Sequence, residues 1–92
     1  MKTLIRVTEI WVPNKQHTHL EFFDGLYGEL AEFKGASETM TFPYGEGMPG
    51  KAWATRRPVI LHSFENSYFL RTEAASKAGL TAGIALPIFA GD

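Results

Sequence analysis

The first candidate for chemistry is Glu9, a carboxylate on an apolar strand face between Val7 and Trp11. A buried carboxylate is costly unless it is paired. We therefore expect Glu9 either to pair with an arginine of the same chain, Arg6 or Arg71, or to bind a cationic group of a ligand. The internal pair is the favoured interpretation.

The histidines are the residues that could ligate a metal ion. His17 and His19 form an H-x-H pair at a turn, and His62 ends a predicted strand. A metal site needs three or four converging ligands that are themselves held by hydrogen bonds. We interpret His17 and His19 as solvated. A structural role is also favoured for His62, but it stays a candidate for pointing into a pocket and donating a hydrogen bond.

Residues 45–50, GEGMPG, satisfy the pattern G-x-G-x-x-G. In dinucleotide-binding proteins this pattern follows a strand and opens a long helix, with an acidic residue about 20 positions later. Here the helix expected after Gly50 is too short, and Glu46 would repel a phosphate. We interpret the run as a structural turn that bends the backbone before Trp53 packs.

Aromatic side chains cluster in the second half of the chain, where they could form either core or a platform for a ligand. The core interpretation is favoured, because aromatic clusters are usually core. The residues concerned are Trp53, Phe64, Tyr68 and Phe69.

Arrangements typical of catalysis are not found in the sequence. There is no Ser/His/Asp spacing, no pair of acids on one element and no cysteine. The lack of cysteine excludes disulfides, thiolate metal sites and cysteine nucleophiles. We predict that the chain is not an enzyme, and the sequence identifies neither a metal site nor a cofactor.

The composition is that of one globular domain, with 92 residues of which 45% are apolar and 13% aromatic. The 9 basic and 10 acidic residues are scattered, without the positive cluster that a nucleic-acid partner requires. No apolar run reaches transmembrane length. We expect a cytoplasmic protein that neither binds nucleic acid nor inserts into a membrane.

The elements that must position these residues follow from hydrophobic periodicity and turn signals. The first strand is expected to be buried on much of both faces. It is predicted to form an antiparallel hairpin with the second strand. In that second strand the alternation of apolar and polar residues slips at Phe23, which predicts a bulge. The order favours an α+β fold, an antiparallel sheet with short helices. The predicted strands are 4–12, 19–27, 59–62 and 82–89, and the predicted helices are 29–38, 51–55 and 67–78.

The run from Phe42 to Ile88 resembles the GAF domain family. The similar runs are FPYGEGMPGKAWATRRPVIL, then FLR, then AASKAGLTAGIALPI. They contain four family features, which are a glycine-rich segment, a Pro-Val strand, an Ala-rich helix ending in Gly-Leu and a strand ending in hydrophobic-Pro-hydrophobic. Four such features in the correct order are specific. The segment TEIWVPN at 8–14 is similar to the opening strand of bacterial GAF domains beside sensor kinases. The matching positions are Gly45, Gly47, Met48, Pro49, Gly50, Trp53, Pro58, Val59, Arg71, Ala74, Ala75, Gly79, Leu80 and Pro87.

The resemblance implies a GAF/PAS-like sheet with short helices on one face and a pocket on that face. It also implies that the pocket binds an unidentified small molecule and that the domain relays the bound state to an output domain. The alternative that it implies is a ligand-free dimerisation scaffold. In some relatives a histidine ligates a haem, and His62 would be the counterpart. The candidate pocket residues are Glu9, Trp53, His62, Phe64, Tyr68, Phe69 and Arg71.

The chain also departs from the family pattern. Ser63 stands where many relatives have an acidic residue, and the cysteines of methionine-sulfoxide-reducing and bilin-attaching relatives are missing. Compared with the family, residues 1–92 are expected to form a single GAF-like domain that is truncated at both ends. Two of the strands would then expose unpaired edges, and we expect either that these edges pair with each other or that a homodimer buries them. The alternative is that the 92 residues are a fragment of a longer gene product.

Overall fold

The computed structural model describes residues 5–64 and 67–88. In these ranges strands and helices alternate in an α+β order, as the sequence predicted. The elements are β1 (Thr8–Pro13), β2 (His19–Leu26), α1 (Ala31–Glu38), β3 (Thr41–Pro43), α2 (Gly47–Thr55), β4 (Val59–Leu61), α3 (Thr72–Ala78) and β5 (Gly83–Ala85). No helix of these described ranges is long and apolar enough to span a membrane.

The strands of the described ranges form two antiparallel sheets. One has the order β1-β2-β3 and the other pairs β4 with β5. The antiparallel arrangement is the predicted one, whereas β3 was not predicted from the sequence. Residues 4 and 89, the outer ends of two predicted strands, lie outside the described residues.

The β1–β2 hairpin contains the predicted bulge. Ile10 pairs with Asp24, but the next residue, Trp11, pairs with Phe22, so Phe23 has no partner in the ladder. The bulge is thus at the position where the hydrophobic alternation slips. An extra residue in one strand changes which face the following side chains occupy. As a result, Tyr27, just past the end of β2, is 4% exposed in the core, while Phe23 is 66% exposed.

The expectation that the first strand is buried on both faces is wrong. Glu9 and Trp11 are largely covered, but Ile10 between them is 51% exposed, and Leu26 on the neighbouring strand is 75% exposed. The outer face of this sheet is thus open to solvent among the described residues. The core lies on the inner side and consists of Tyr27, Phe33, Met48, Phe64, Phe69 and Ala75.

Helix α2 begins at Gly47, inside the glycine-rich run 45–50 and four residues before the predicted start at residue 51. Gly47 has a φ of 67°, and a Cβ atom there would lie 2.6 Å from Cδ1 of Phe42. The glycine is therefore required by a turn and a close contact, as a structural turn predicts. Met48 is 4% exposed in the core, while Trp53 is half-buried and packs on Tyr44 with ring centroids 4.8 Å apart. Met48, not Trp53, anchors the helix.

The helix predicted for 67–78 is observed only from Thr72. Ser67 holds the chain in a turn before α3, because its Oγ donates to the carbonyl of Phe64 at 2.6 Å and accepts the N–H of Phe69 at 3.2 Å. Such side-chain bonds to the backbone compete with the helical pattern. The turn directs Phe69 and Arg71 into the interior, where both are buried.

Candidate functional site

An ion pair between Glu9 and Arg71 lies in the interior of the domain. The Nη1 atom of Arg71 is 2.7 Å from Oε2 of Glu9, and the two side chains are 6% and 10% exposed. Of the two arginines expected from the sequence, Arg71 is therefore the partner. The Nη1 atom of Arg6 instead lies 3.5 Å from the carbonyl oxygen of Gly79.

Two further donors hold the Glu9 carboxylate. Nε1 of Trp11 donates to Oε1 at 3.2 Å, and the hydroxyl of Tyr27 donates to Oε2. Burial by itself raises the pKa of Glu9, but the hydrogen bond and positive charge of Arg71, with the bonds from Tyr27 and Trp11, outweigh it. The pKa of Glu9 thus lies below its ordinary value, and the carboxylate is ionised at neutral pH.

Tyr27 reaches Glu9 because of two local features of β2. The bulge at Phe23 turns Tyr27 to the inner face, and Gly25 leaves room for its ring. A Cβ atom at Gly25 would lie 2.7 Å from Cε2 of Tyr27. Burial and the bond to Glu9 raise the pKa of the Tyr27 hydroxyl, which therefore keeps its proton and stays a donor.

Arg71 has a second partner on helix α1. Its Nη1 donates to Oγ of Ser37 at 2.6 Å, and Ser37 is fully buried. The Nε atom of Arg71 is also buried but has no hydrogen-bond partner among the residues that the structure describes. The carboxylate side of the pair is therefore fully bonded, whereas the guanidinium side is not.

Four aromatic rings surround the guanidinium of Arg71. Its Cζ atom lies 4.8 Å from the ring centroid of Phe33, 5.3 Å from those of Phe42 and Phe69, and 5.4 Å from that of Trp11. All four distances are within the range of cation–π attraction, about 6 Å. We call these four rings together with the Glu9 carboxylate the cation cage.

The structure brings three of the seven predicted pocket residues together, namely Glu9, Phe69 and Arg71. Phe64 stacks on Phe69 with ring centroids 3.8 Å apart, and both are buried in the core. Tyr68 is half-buried, and Nζ of Lys51 lies 4.7 Å from the centroid of its ring. The core interpretation thus describes Phe64 and Phe69 correctly.

The other two candidates lie away from the cage. His62 is exposed, because β4 ends at Leu61 and the chain leaves the sheet there. It therefore does not point into the interior, so the less favoured of the two interpretations of His62, a place in a pocket, is wrong. Trp53 is on the side of α2 that packs on Tyr44 and likewise does not reach the cage.

Several members of the site were not identified as such from the sequence. Ser37 could have been found, because it lies four residues after Phe33 on α1 and therefore on the same helix face. Tyr27 could not be placed without knowing that the bulge shifts its side. Phe42 belongs to β3, the strand that was not predicted.

Two openings of the described surface adjoin residues of the site. A cleft of about 440 Å³ between α1 and α3 is bordered by Arg71, Glu32 and Glu73, and one of about 610 Å³ adjoins Arg6 and Tyr27. Both are open to solvent. Within residues 5–64 and 67–88, no group of three or more histidine, aspartate and glutamate side chains could hold a metal ion.

Comparison with known proteins agrees with this architecture. Protein NLP1 of Arabidopsis thaliana is 29% identical over 100 aligned residues, which cover 90% of this chain and 11% of NLP1. The chain thus spans about a tenth of the length of that relative. The family model described as GAF domain matches residues 6–92, nearly the whole sequence and all of its described elements. The chain belongs to the GAF domain family.

Proposed function

We propose that this domain is a sensory module that binds a small molecule at the cation cage and relays the bound state to an output domain. The observation that carries the proposal is the buried Glu9–Arg71 pair within four aromatic rings. Small-molecule sites are mostly apolar and aromatic, with a few placed polar groups. The cage has this composition.

The energetics of the pair support a functional role. Replacing a buried ion pair by apolar residues of similar volume is often neutral or stabilising, so such a pair is weak evidence for a purely structural purpose. Here it is accompanied by a buried donor, Nε of Arg71, that has no partner. Unpaired buried groups are rare and are often associated with function.

The positions of the paired residues suggest how a bound state would be relayed. Glu9 lies on β1, Ser37 on α1, and Arg71 is the N-cap residue of α3. The helices α1 and α3 also contact each other. A change at the guanidinium would therefore alter the contacts of one strand and two helices at once. That the bound state acts on an output domain is itself part of the proposal.

Native mass spectrometry of the freshly purified protein tests ligand binding. We expect the wild type to carry a small molecule that is released on denaturation. The Glu9→Gln variant should lack this molecule, although its circular dichroism spectrum should show that it is folded. Lys77→Met, which breaks only a surface ion pair of 3.5 Å with Glu73, is the matched control and should keep the ligand. The proposal fails if no compound is retained and none from a metabolite library raises the melting temperature of the wild type.

A second candidate function is a ligand-free dimerisation scaffold. The observation that favours it is the outer face of β4–β5, where Ile60 and Ile84 lie directly opposite each other and are 56% and 59% exposed. Leu86 beside them is 62% exposed. Contiguous exposed apolar side chains mark interaction surfaces, and a second copy of this chain would bury them.

Sedimentation velocity at micromolar concentration tests the dimer. The wild type should sediment as a dimer, and Ile84→Glu should sediment as a monomer. Leu26→Glu, which places the same charge on the outer face of the other sheet, is the control and should leave the dimer intact. A monomeric wild type contradicts the scaffold but not the binding of a small molecule. The cytoplasmic location and the lack of enzymatic activity stay predictions.

A further inference from the structure

Two parts of the cation cage differ in how they are held. The carboxylate of Glu9 is fixed by Trp11 and Tyr27, which belong to the same hairpin as Glu9 itself. Among the described residues, two of the three side-chain bonds to the carboxylate therefore come from its own hairpin and one from Arg71. A preorganised carboxylate among aromatic faces is the chemistry that recognises organic cations.

Arg71 occupies this cage without using all of its donors. Both of its side-chain bonds to described residues leave from Nη1, and the buried Nε has no partner. A buried donor without a partner costs free energy. A free cation that can orient without the constraint of a side chain is able to bond more completely at the same place.

A second environment for the Arg71 side chain lies next to the cage. Arg71 borders the cleft between α1 and α3, whose walls carry Glu32, Glu73 and Lys77, with Nζ of Lys77 3.5 Å from Oε1 of Glu73. A guanidinium that leaves the cage therefore reaches a solvent-open cleft lined by both acidic and basic side chains, without crossing the core. This gives Arg71 two alternative environments, which a switch requires.

We infer that the cation cage is a receptor for a small organic cation with a guanidinium-type head group, and that Arg71 occupies it as an internal competitor. The ligand bonds to Glu9, stacks between the rings and displaces Arg71 towards the cleft. Its displacement breaks the bonds of Arg71 to Glu9 on β1 and to Ser37 on α1. This inference rests on the proposed function, since it names the ligand class of the same site.

The test is a titration with methylguanidinium chloride, with methylurea as the neutral compound of the same shape and sodium chloride as the ionic control. Arg71→Met removes the competitor, so it should bind methylguanidinium about tenfold or more tightly than the wild type does. The double variant Arg71→Met with Glu9→Gln should lose that gain. Equal affinity of Arg71→Met and wild type, or equal binding of methylurea, overturns the inference.

A second measurement needs no variant. In the wild type, saturating methylguanidinium should move the Nε–H resonance of Arg71 towards the position and fast exchange of a solvated arginine, and methylurea should not. An unchanged resonance at saturation overturns the inference. If native mass spectrometry instead finds a retained compound without a cationic group, the proposed function stands and this inference fails.

Discussion

The Nη1 atom of Arg71 and the Oε2 atom of Glu9 lie 2.7 Å apart, although 62 residues separate them in the chain. The contact joins the first strand to the start of the last described helix, and it exists only when the hairpin, α1 and the turn before α3 are all in place. Because both side chains are buried, the loss of either one leaves the other without its counter-charge.

Arg71→Met should therefore destabilise the domain by roughly 3–5 kcal/mol, the range for breaking a buried ion pair by removing one partner. Urea unfolding measures the change. Lys77→Met removes the same charge from an exposed pair and should change the free energy of unfolding by less than about 0.5 kcal/mol. Similar losses in the two variants would show that the Glu9–Arg71 pair is not buried in solution.

The pair also predicts how stability depends on pH. The folded pKa of Glu9 is lower than its ordinary value of 4.5, so the folded state binds fewer protons at this group than the unfolded state does. The contribution of ionised Glu9 to the free energy of unfolding is thus complete above about pH 4.5, and it is lost as the pH falls through the pKa that Glu9 has in the folded state. Glu9→Gln should be less stable at pH 7 and should approach the wild type as the pH is lowered.

Urea unfolding of both proteins between pH 7 and pH 2.5 checks this prediction. The other carboxylates titrate in both proteins, so the difference between the two curves isolates Glu9. A difference that stays constant over this range, or that grows towards acid pH, would contradict the lowered pKa.

The parts of the fold that local patterns determine could be predicted from the sequence. The alternation of apolar residues in the second strand predicts a bulge at Phe23, and the bulge is there because the pattern itself shifts by one residue. The α+β order was predicted as well. The three-residue strand β3 was not, since three residues are too few to show a period.

The cation cage could be predicted only in part, because long-range contacts assemble it. The cost of burying a carboxylate predicts a partner for Glu9, but the sequence offers two arginines and does not choose between them. The choice is made by the turn at Ser67, which stops the predicted helix from starting early and directs Arg71 inwards. Local propensity alone does not contain that competition.

Glycine substitutions test whether the room beside Tyr27 is needed. Gly25→Ala places a methyl group 2.7 Å from Cε2 of Tyr27 and 3.1 Å from the backbone oxygen of Thr8, and it should destabilise the domain by about 1–3 kcal/mol. Gly35→Ala, on an exposed position of α1 with no atom within 4 Å, should instead stabilise it by about 0.5–1 kcal/mol.

If the contact is real, thermal unfolding should show a lower melting temperature for Gly25→Ala and a higher one for Gly35→Ala than for the wild type. The tyrosine fluorescence of Gly25→Ala should also change, because the ring must move away from the Glu9 carboxylate. Stabilisation by Gly25→Ala would mean that the ring of Tyr27 does not lie over this glycine.

The last prediction compares two candidates for the residue that anchors helix α2, namely Met48, which the structure favours, and Trp53, which the sequence favoured. Met48 is 4% exposed, and its sulfur would lie 3.4 Å from a Cβ atom at Gly83, so it fills the space between α2 and β5. Met48→Ala should cost about 2–5 kcal/mol, the range for truncating a buried methionine. Trp53 is half-buried and contacts Tyr44, which is itself 56% exposed, so Trp53→Ala should cost only roughly 1–2 kcal/mol.

Urea unfolding of both variants, followed by circular dichroism because one of them lacks a tryptophan, ranks the two costs. A larger loss for Trp53→Ala would mean that the indole is the side chain that holds α2 to the sheets. The physical reason for the expected order is coverage, since the free energy lost on truncation scales with the apolar area that was removed from water. Although tryptophan is the larger side chain, part of Trp53 still faces solvent, whereas nearly all of Met48 is covered.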